Sequence, residues 1–278
     1  MRRFDVVDVF GAAPLLGNPV AVVLDGEGLP TERMQALARW TNLSETTFVL
    51  PASEPTADYR VRIFTPVAEL PFAGHPTLGT AHAWLAAGGR PGDGADVVQQ
   101  CGAGLVRVRR QDDRLAFAGP PLLRSGPLDP TTRAEVCRAL GLAPHAVEDA
   151  AWVDNGPGWL ALRLADAQAV LDVRPGPLGD RYVGLVGPHP ASGPADVEVR
   201  AFFPAATGTT EDPVTGSLQA SLATWLASTG QVRLPYVAAQ GSALGRRGRV
   251  HLSPDRDDPG LVWVGGATVT VVTGTLAL

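Results

Sequence analysis

An α+β fold of two pseudo-symmetric halves, each a curved mixed sheet wrapped around one buried helix, is predicted by three features of the 278-residue sequence. The first is an internal repeat. Val61-Arg62-Ile63-Phe64-Thr65-Pro66 reappears as Val199-Arg200-Ala201-Phe202-Phe203-Pro204. After each copy comes the pattern Pro-x-x-Gly-(Thr/Ser)-x-x-Ala-x-Leu, as Pro76 to Leu85 and again as Pro213 to Leu222. A similarity spaced by half the chain reads as a duplicated domain and not as a short-period array. The second feature is that both patterned segments are nearly free of charge, as expected of helices buried all round. The third is the supply of 32 Gly and 25 Pro, which favours short strands and turns over long helices.

The elements follow in order. Phe4 to Phe10 and Pro19 to Leu24 read as strands. Thr31 to Trp40 reads as a helix capped by the threonine behind Pro30, with Met34, Leu37 and Ala38 on its apolar face. Thr47 to Leu50 and Tyr59 to Phe64 are strands, and Thr77 to Ala87 is the first buried helix, ended by Gly88-Gly89. Hairpin strands run from Val97 to Phe117. The Pro-rich stretch from Gly119 to Pro130 is the best linker, which places the halves at 1–120 and 121–278. In the second half, Thr131 to Leu140 is a helix, Trp159 to Leu164 and Val197 to Phe203 are strands, and Ser217 to Ser228 is the second buried helix. The last strands, from Val262 and Thr268 onward, are expected to pack back on the first half.

Composition excludes several functions. Net charge is −5 and no basic stripe exists, so nucleic acid is not a partner. The chain has no lysine, which rules out a pyridoxal-phosphate or aldolase Schiff base and a P-loop. Cys101 and Cys137 form no CxxC pair, so neither a structural zinc site nor a disulfide framework is implied. Asp5 and Asp8 break the first apolar stretch, and no run reaches transmembrane length, which points to a cytoplasmic protein without membrane association.

The candidate chemistry lies at the matched segments. In Ala73-Gly74-His75-Pro76-Thr77, Gly74 permits close backbone approach and Pro76 suits a first helical turn. The helix start that follows offers unpaired N–H groups to an anion. His75 is either a satisfied capping residue or a site residue, and Glu69 upstream reads as a local loop anchor. The second copy carries Asp212 at the position of His75. Asp212 and Ser217 suit N-caps, whereas Thr215 and Ser217 equally suit donors to a substrate carboxylate. With both copies in view, the two helix starts read as a pair of dipoles serving one ligand in a cleft between the halves. Glu45, in Leu43-Ser44-Glu45-Thr46-Thr47, is an exposed turn carboxylate or, beside apolar walls, a general base of raised pKa. Asn18 is a turn residue by default and a ligand contact by alternative. No Gly-x-Ser-x-Gly elbow exists, which argues against a hydrolase triad.

These segments together resemble the PhzF family of phenazine-biosynthesis isomerases, relatives of diaminopimelate epimerase and proline racemase. The resemblance rests on Gly17-Asn18-Pro19-Val20-Ala21-Val22, Ser44-Glu45-Thr46-Thr47-Phe48, Glu69 through Gly79, and Glu211-Asp212-Pro213-Val214-Thr215-Gly216-Ser217, and it covers essentially the whole chain. It implies the diaminopimelate epimerase-like architecture, a site between the halves, and a homodimer with no cofactor and no metal. It implies that Glu45 moves a proton within the substrate ring, that His75 and Asp212 hold and polarise the substrate, and that Gly74, Gly216 and Ser217 contact it. The epimerase and racemase relatives place cysteines where this chain has His75 and Asp212, so a two-thiol mechanism is unavailable. The expected function is a cofactor-independent isomerase of a small anionic substrate. The alternatives are an amino-acid or imino-acid racemase or epimerase, and a non-enzymatic protein that binds a small carboxylate.

Overall fold

The computed structural model describes all residues except 93–95, 112, 206–207 and 259. The chain folds into two compact units, Met1–Ala118 with Gly265–Leu278, and Gly119–Val264. The first contains β1 (Arg2–Val9), β2 (Asn18–Val23), α1 (Thr31–Thr41), β3 (Glu45–Leu50), β4 (Tyr59–Phe64), β5 (Glu69–Leu70), α2 (Gly74–Ala86), β6 (Val97–Cys101), β7 (Gly104–Gln111) and β8 (Arg114–Ala118). The second contains β9 (Arg124–Pro127), α3 (Pro130–Ala139), β10 (Val147–Asp154), β11 (Trp159–Leu164), α4 (Ala167–Asp172), β12 (Tyr182–Pro188), β13 (Val197–Ala205), β14 (Gly208–Asp212), α5 (Gly216–Ser228), β15 (Tyr236–Gln240) and β16 (Gly248–Pro254). The long strand β17 (Val262–Leu276) begins in the second unit and ends in the first.

In the first unit the ladder runs β17-β1-β2-β3-β4-β6-β7-β8 and returns to β17, closing a barrel. Only β2–β3 and β4–β6 are parallel among the registered pairs. Their crossovers hold the two helices, since parallel neighbours need a long connection. Helix α1 is amphipathic, with Met34, Leu37 and Ala38 packed against Val23, Phe48, Leu50 and Phe64. It ends at Asn42, which has a left-handed φ of 54° and whose N–H bonds to the Ala38 carbonyl. Helix α2 has no charged side chain and packs on β1, β2, β3, β6, β7 and β8. Gly79 makes that fit possible, because a Cβ there would lie 2.3 Å from Val20 Cγ1.

The second unit repeats the order. β9, β10, β11, β12, β13, β15 and β16 pair in sequence, with β11–β12 and β13–β15 parallel. Helices α4 and α5 occupy the places of α1 and α2. The repeat extends to one ion pair per unit. Arg62 grips Glu69 through two bonds of 2.7 and 2.6 Å, and Arg200 grips Glu211 at 3.0 and 2.7 Å. Glu69 is thus a loop anchor as expected, tying β5 to β4.

Three local expectations are corrected. The residue capping α1 is Pro30, without a side-chain cap, and Thr31 is already helical. Helix α2 starts at Gly74, three residues early, so Pro76 sits inside its first turn. The Pro-rich linker contains a strand, β9, paired with β10.

Candidate active site

In the first unit three candidate residues come together from three segments. Gly17 packs so tightly that a Cβ would sit 2.3 Å from the Val9 carbonyl oxygen, and this approach presents Asn18 at the start of β2. Glu45 opens β3 beside β2, paired with Val20. His75 lies in the first turn of α2. Its Nε2 is 3.2 Å from Glu45 Oε2, and its Nδ1 is 3.5 Å from Asn18 Nδ2. Asn18 is fully buried, His75 nearly so, and the Glu45 side chain keeps 14% of its surface.

The distance between His75 and Glu45 is that of an ion pair, but the imidazole is not charged at neutral pH. Burial lowers its pKa to about 3, against the opposing pull of a hydrogen bond to the Pro19 carbonyl. The contact is therefore a close approach of a carboxyl oxygen to a neutral ring, without the charge of an ion pair. Supporting hydroxyls fix the surrounding backbone. Thr80 on α2 donates to Thr47 on β3 at 2.8 Å, and Thr77 accepts from Gln99 at 2.9 Å. Gly74 forms the buried first residue of α2 beside His75.

In the second unit Asp212 ends β14 and is half-buried. Thr215 Oγ1 donates to its Oδ2 at 2.6 Å. The expectation that Asp212 or Ser217 caps α5 is not met: the cap residue is Thr215, with no side-chain cap bond, and Gly216 and Ser217 form the first turn. The whole approach to α5 is held by one buried residue that the sequence did not single out. Gln240 Oε1 accepts from the Thr215 N–H at 3.1 Å and from Gln219 at 2.9 Å, and its Nε2 donates to Thr215 Oγ1 at 2.9 Å and to the Asp212 carbonyl at 3.2 Å. A polar residue closing the apolar strand Tyr236-Val237-Ala238-Ala239 was the available signal. Trp159 and Asn155 contact Ser217 directly and were also missed.

Among the described residues no group of three His, Cys, Asp or Glu side chains has the spacing to hold a metal ion, and no helix is long and apolar enough to cross a membrane. A carboxyl group 3.2 Å from a neutral imidazole is a pair of groups that can take up and return a proton.

Comparison with known proteins identifies the family. The family described as "Phenazine biosynthesis-like protein" matches residues 7–274. The chain is 37% identical over 268 residues to the trans-2,3-dihydro-3-hydroxyanthranilate isomerase of Pseudomonas aeruginosa, covering 90% of each protein. It is 34% identical over 289 residues to the protein of the same name from Pseudomonas fluorescens, covering 100% of both. Among solved structures it superposes on a PhzF family protein from Enterococcus faecalis with a TM-score of 0.80 at 27% identity, covering 100% of this chain and 99% of that one. The chain is an enzyme of isomerase type and belongs to the PhzF family.

Proposed function

We propose that the chain is a cytoplasmic, homodimeric isomerase that shifts a proton on a small cyclic carboxylate by general acid/base catalysis, without a cofactor. Glu45 is the proton carrier. The single observation that carries this reading is its 3.2 Å contact with a neutral His75. A protonated imidazole at that distance would hold the carboxylate in its charged form and weaken it as a base, whereas a neutral one leaves it free to accept a proton. Glu45 takes a proton from one carbon, the electron pair moves through the conjugated system, and the same carboxyl, after exchange with solvent, delivers a proton at another carbon. A double bond moves and the molecular formula is unchanged. His75 and Asp212 hold and polarise the substrate, while Gly74, Asn18, Thr215, Gly216 and Ser217 contact it. The names of the relatives point to a ring bearing amino, hydroxyl and carboxylate groups.

The test is Glu45→Gln with trans-2,3-dihydro-3-hydroxyanthranilate as substrate in deuterium oxide. Turnover should fall by ~10²–10⁴-fold, the usual contribution of a general acid–base group. Wild-type product should carry deuterium at the carbon that gains the proton. Deuterium exchange at one stereocentre with loss of optical rotation would favour epimerisation instead, and near-normal turnover by the variant would move the base to another residue.

A further inference from the structure

Trp159 stands at the start of β11, almost wholly buried, and its indole Nε1 lies 3.1 Å from Ser217 Oγ. An indole N–H can only donate. The serine oxygen must therefore accept, and one of its lone pairs is occupied. Its own proton has no acceptor among the described residues. The hydroxyl does not bond back into its helix, as Thr224 does to the Ala220 carbonyl at 3.1 Å. We propose that Trp159 is a positioning residue that occupies one lone pair of Ser217 and leaves the serine proton to a ligand, so that the start of α5 favours a carboxylate over a carboxamide. This rests on the reading above that Ser217 contacts the substrate.

The surroundings fix this geometry from both sides. Asn155 Nδ2 donates to the Ser217 carbonyl at 2.9 Å and so holds the backbone of the first turn. The turn that delivers Trp159 is braced by Asp154, whose Oδ1 accepts from the N–H groups of Gly156 and Gly158 at 2.7 and 2.6 Å. Gly158 has a left-handed φ of 91°, which side-chain-bearing residues rarely adopt. The indole plane is set edge-on to Tyr182, with centroids 5.3 Å apart and an interplanar angle of 87°. Nothing in this arrangement lets the indole N–H turn away.

The repeat supplies an internal contrast. Phe64 and Phe202 are equivalent, and they pair with Thr46 and Val183. Glu45 is thus matched by Tyr182, and since Glu45 pairs with Val20 as Tyr182 pairs with Trp159, Val20 is the counterpart of Trp159. Ser217 is matched by Thr80. In the first unit the Thr80 proton is consumed inside the core by Thr47. In the second unit the valine is replaced by a donor-only ring and the hydroxyl proton stays uncommitted. A carboxylate offers that proton an acceptor on either oxygen. A carboxamide offers one oxygen, and its NH₂ would compete with the indole N–H for the serine oxygen.

Trp159→Phe keeps an aromatic ring beside Tyr182 and removes the N–H together with part of the ring volume, which a Ser217→Ala background controls for. Binding of anthranilate and of anthranilamide, which share a ring and differ in carboxylate against carboxamide, is measured by calorimetry on the full chain. Wild type should prefer anthranilate, and Trp159→Phe should shrink the ratio of the two dissociation constants by roughly tenfold, the worth of one hydrogen bond to a charged group. In a Ser217→Ala background the same substitution should leave the ratio unchanged. An unchanged ratio in Trp159→Phe, or an equal change with and without Ser217, overturns the proposal. If Trp159→Phe does not fold, spectra of wild type labelled with ¹⁵N-tryptophan decide. The indole resonance that moves on Ser217→Ala should also move on adding anthranilate and stay still with anthranilamide, and an indole set indifferent to either change overturns it. Wild type that binds neither probe overturns it together with the carboxylate reading, whereas failure confined to Trp159 leaves the effect of Glu45→Gln untouched.

Discussion

The burial of His75 beside Glu45 has a cost at low pH that can be measured without any substrate. The imidazole is held neutral by burial, with a pKa of about 3 against an ordinary value of 6.5. A base whose pKa is lowered by folding stabilises the native state fully above 6.5. That contribution is lost as pH falls from 6.5 towards 3, because the unfolded chain takes up a proton that the folded one refuses. One such proton tilts stability by up to about 1.4 kcal/mol per pH unit in that window. His75→Asn removes the titration while keeping a polar group. Denaturant unfolding from pH 7 to 4 should give a shallower loss of stability for the variant than for wild type, and parallel curves would show that His75 already binds its proton when folded. Glu45, His75 and Asn18 were singled out in the sequence by motifs that resemble a known family, and the structure places the three side by side. Trp159 was not. Its signal is the single N–H of a residue that otherwise reads as core, and only the distance to Ser217 separates the two meanings.

At the scale of elements, the two buried helices announce themselves by the lack of charge over a helical length, and both were placed to within three residues. The strands β10, β12, β15 and β16 and the short α4 were harder. Val147–Asp154 carries an Ala-Ala centre with no period of two, and Tyr182–Pro188 is buried along most of its length, so neither alternates between apolar and polar. The repeat is a better guide than propensity there, and it has energetic content. The two Arg–Glu pairs share their geometry and differ in burial: the side chains of Arg62 and Glu69 are 26% and 40% exposed, those of Arg200 and Glu211 only 5% and 10%. Arg200 also donates to the carbonyls of Val170 and Val173, at 3.2 and 2.7 Å, as α4 ends. Breaking a buried pair strands a charge and costs about 3–5 kcal/mol, while an exposed pair is worth about 0–1 kcal/mol. Glu211→Gln should therefore lower the denaturation midpoint sharply and Glu69→Gln hardly at all. Equal effects would mean that the duplicated contact does the same work in both units.

For the molecule as a whole, the decisive strand is the last one. The duplicated segments lie in two halves in chain order, and β17 runs from the second unit into the first. Its residues from Thr268 to Leu276 pair along the full length of β1, and it also pairs with β8, so it is the stave that closes the first barrel. Thr268 and Thr270 on this strand hold the two ring nitrogens of His82, at 2.8 and 2.9 Å, and so tie it to the central helix α2. That strand was expected to return to the first half from its place in the sequence, but its role as a closing element follows only from the registers. Removing residues 265–278 would open the barrel along two edges and expose unpaired N–H and C=O groups on β1 and β8, which favours aggregation. It would also uncover the apolar face of α2, which has no polar side to turn to water. The second unit keeps its own core, built on Val136, Leu160, Leu185 and Phe202. Hydrogen exchange on the truncated chain should therefore show lost protection across Arg2–Val9 and Gly74–Ala86 and retained protection across Trp159–Leu164 and Val197–Ala205. Uniform protection, equal to that of the full chain, would show that the first barrel closes without β17.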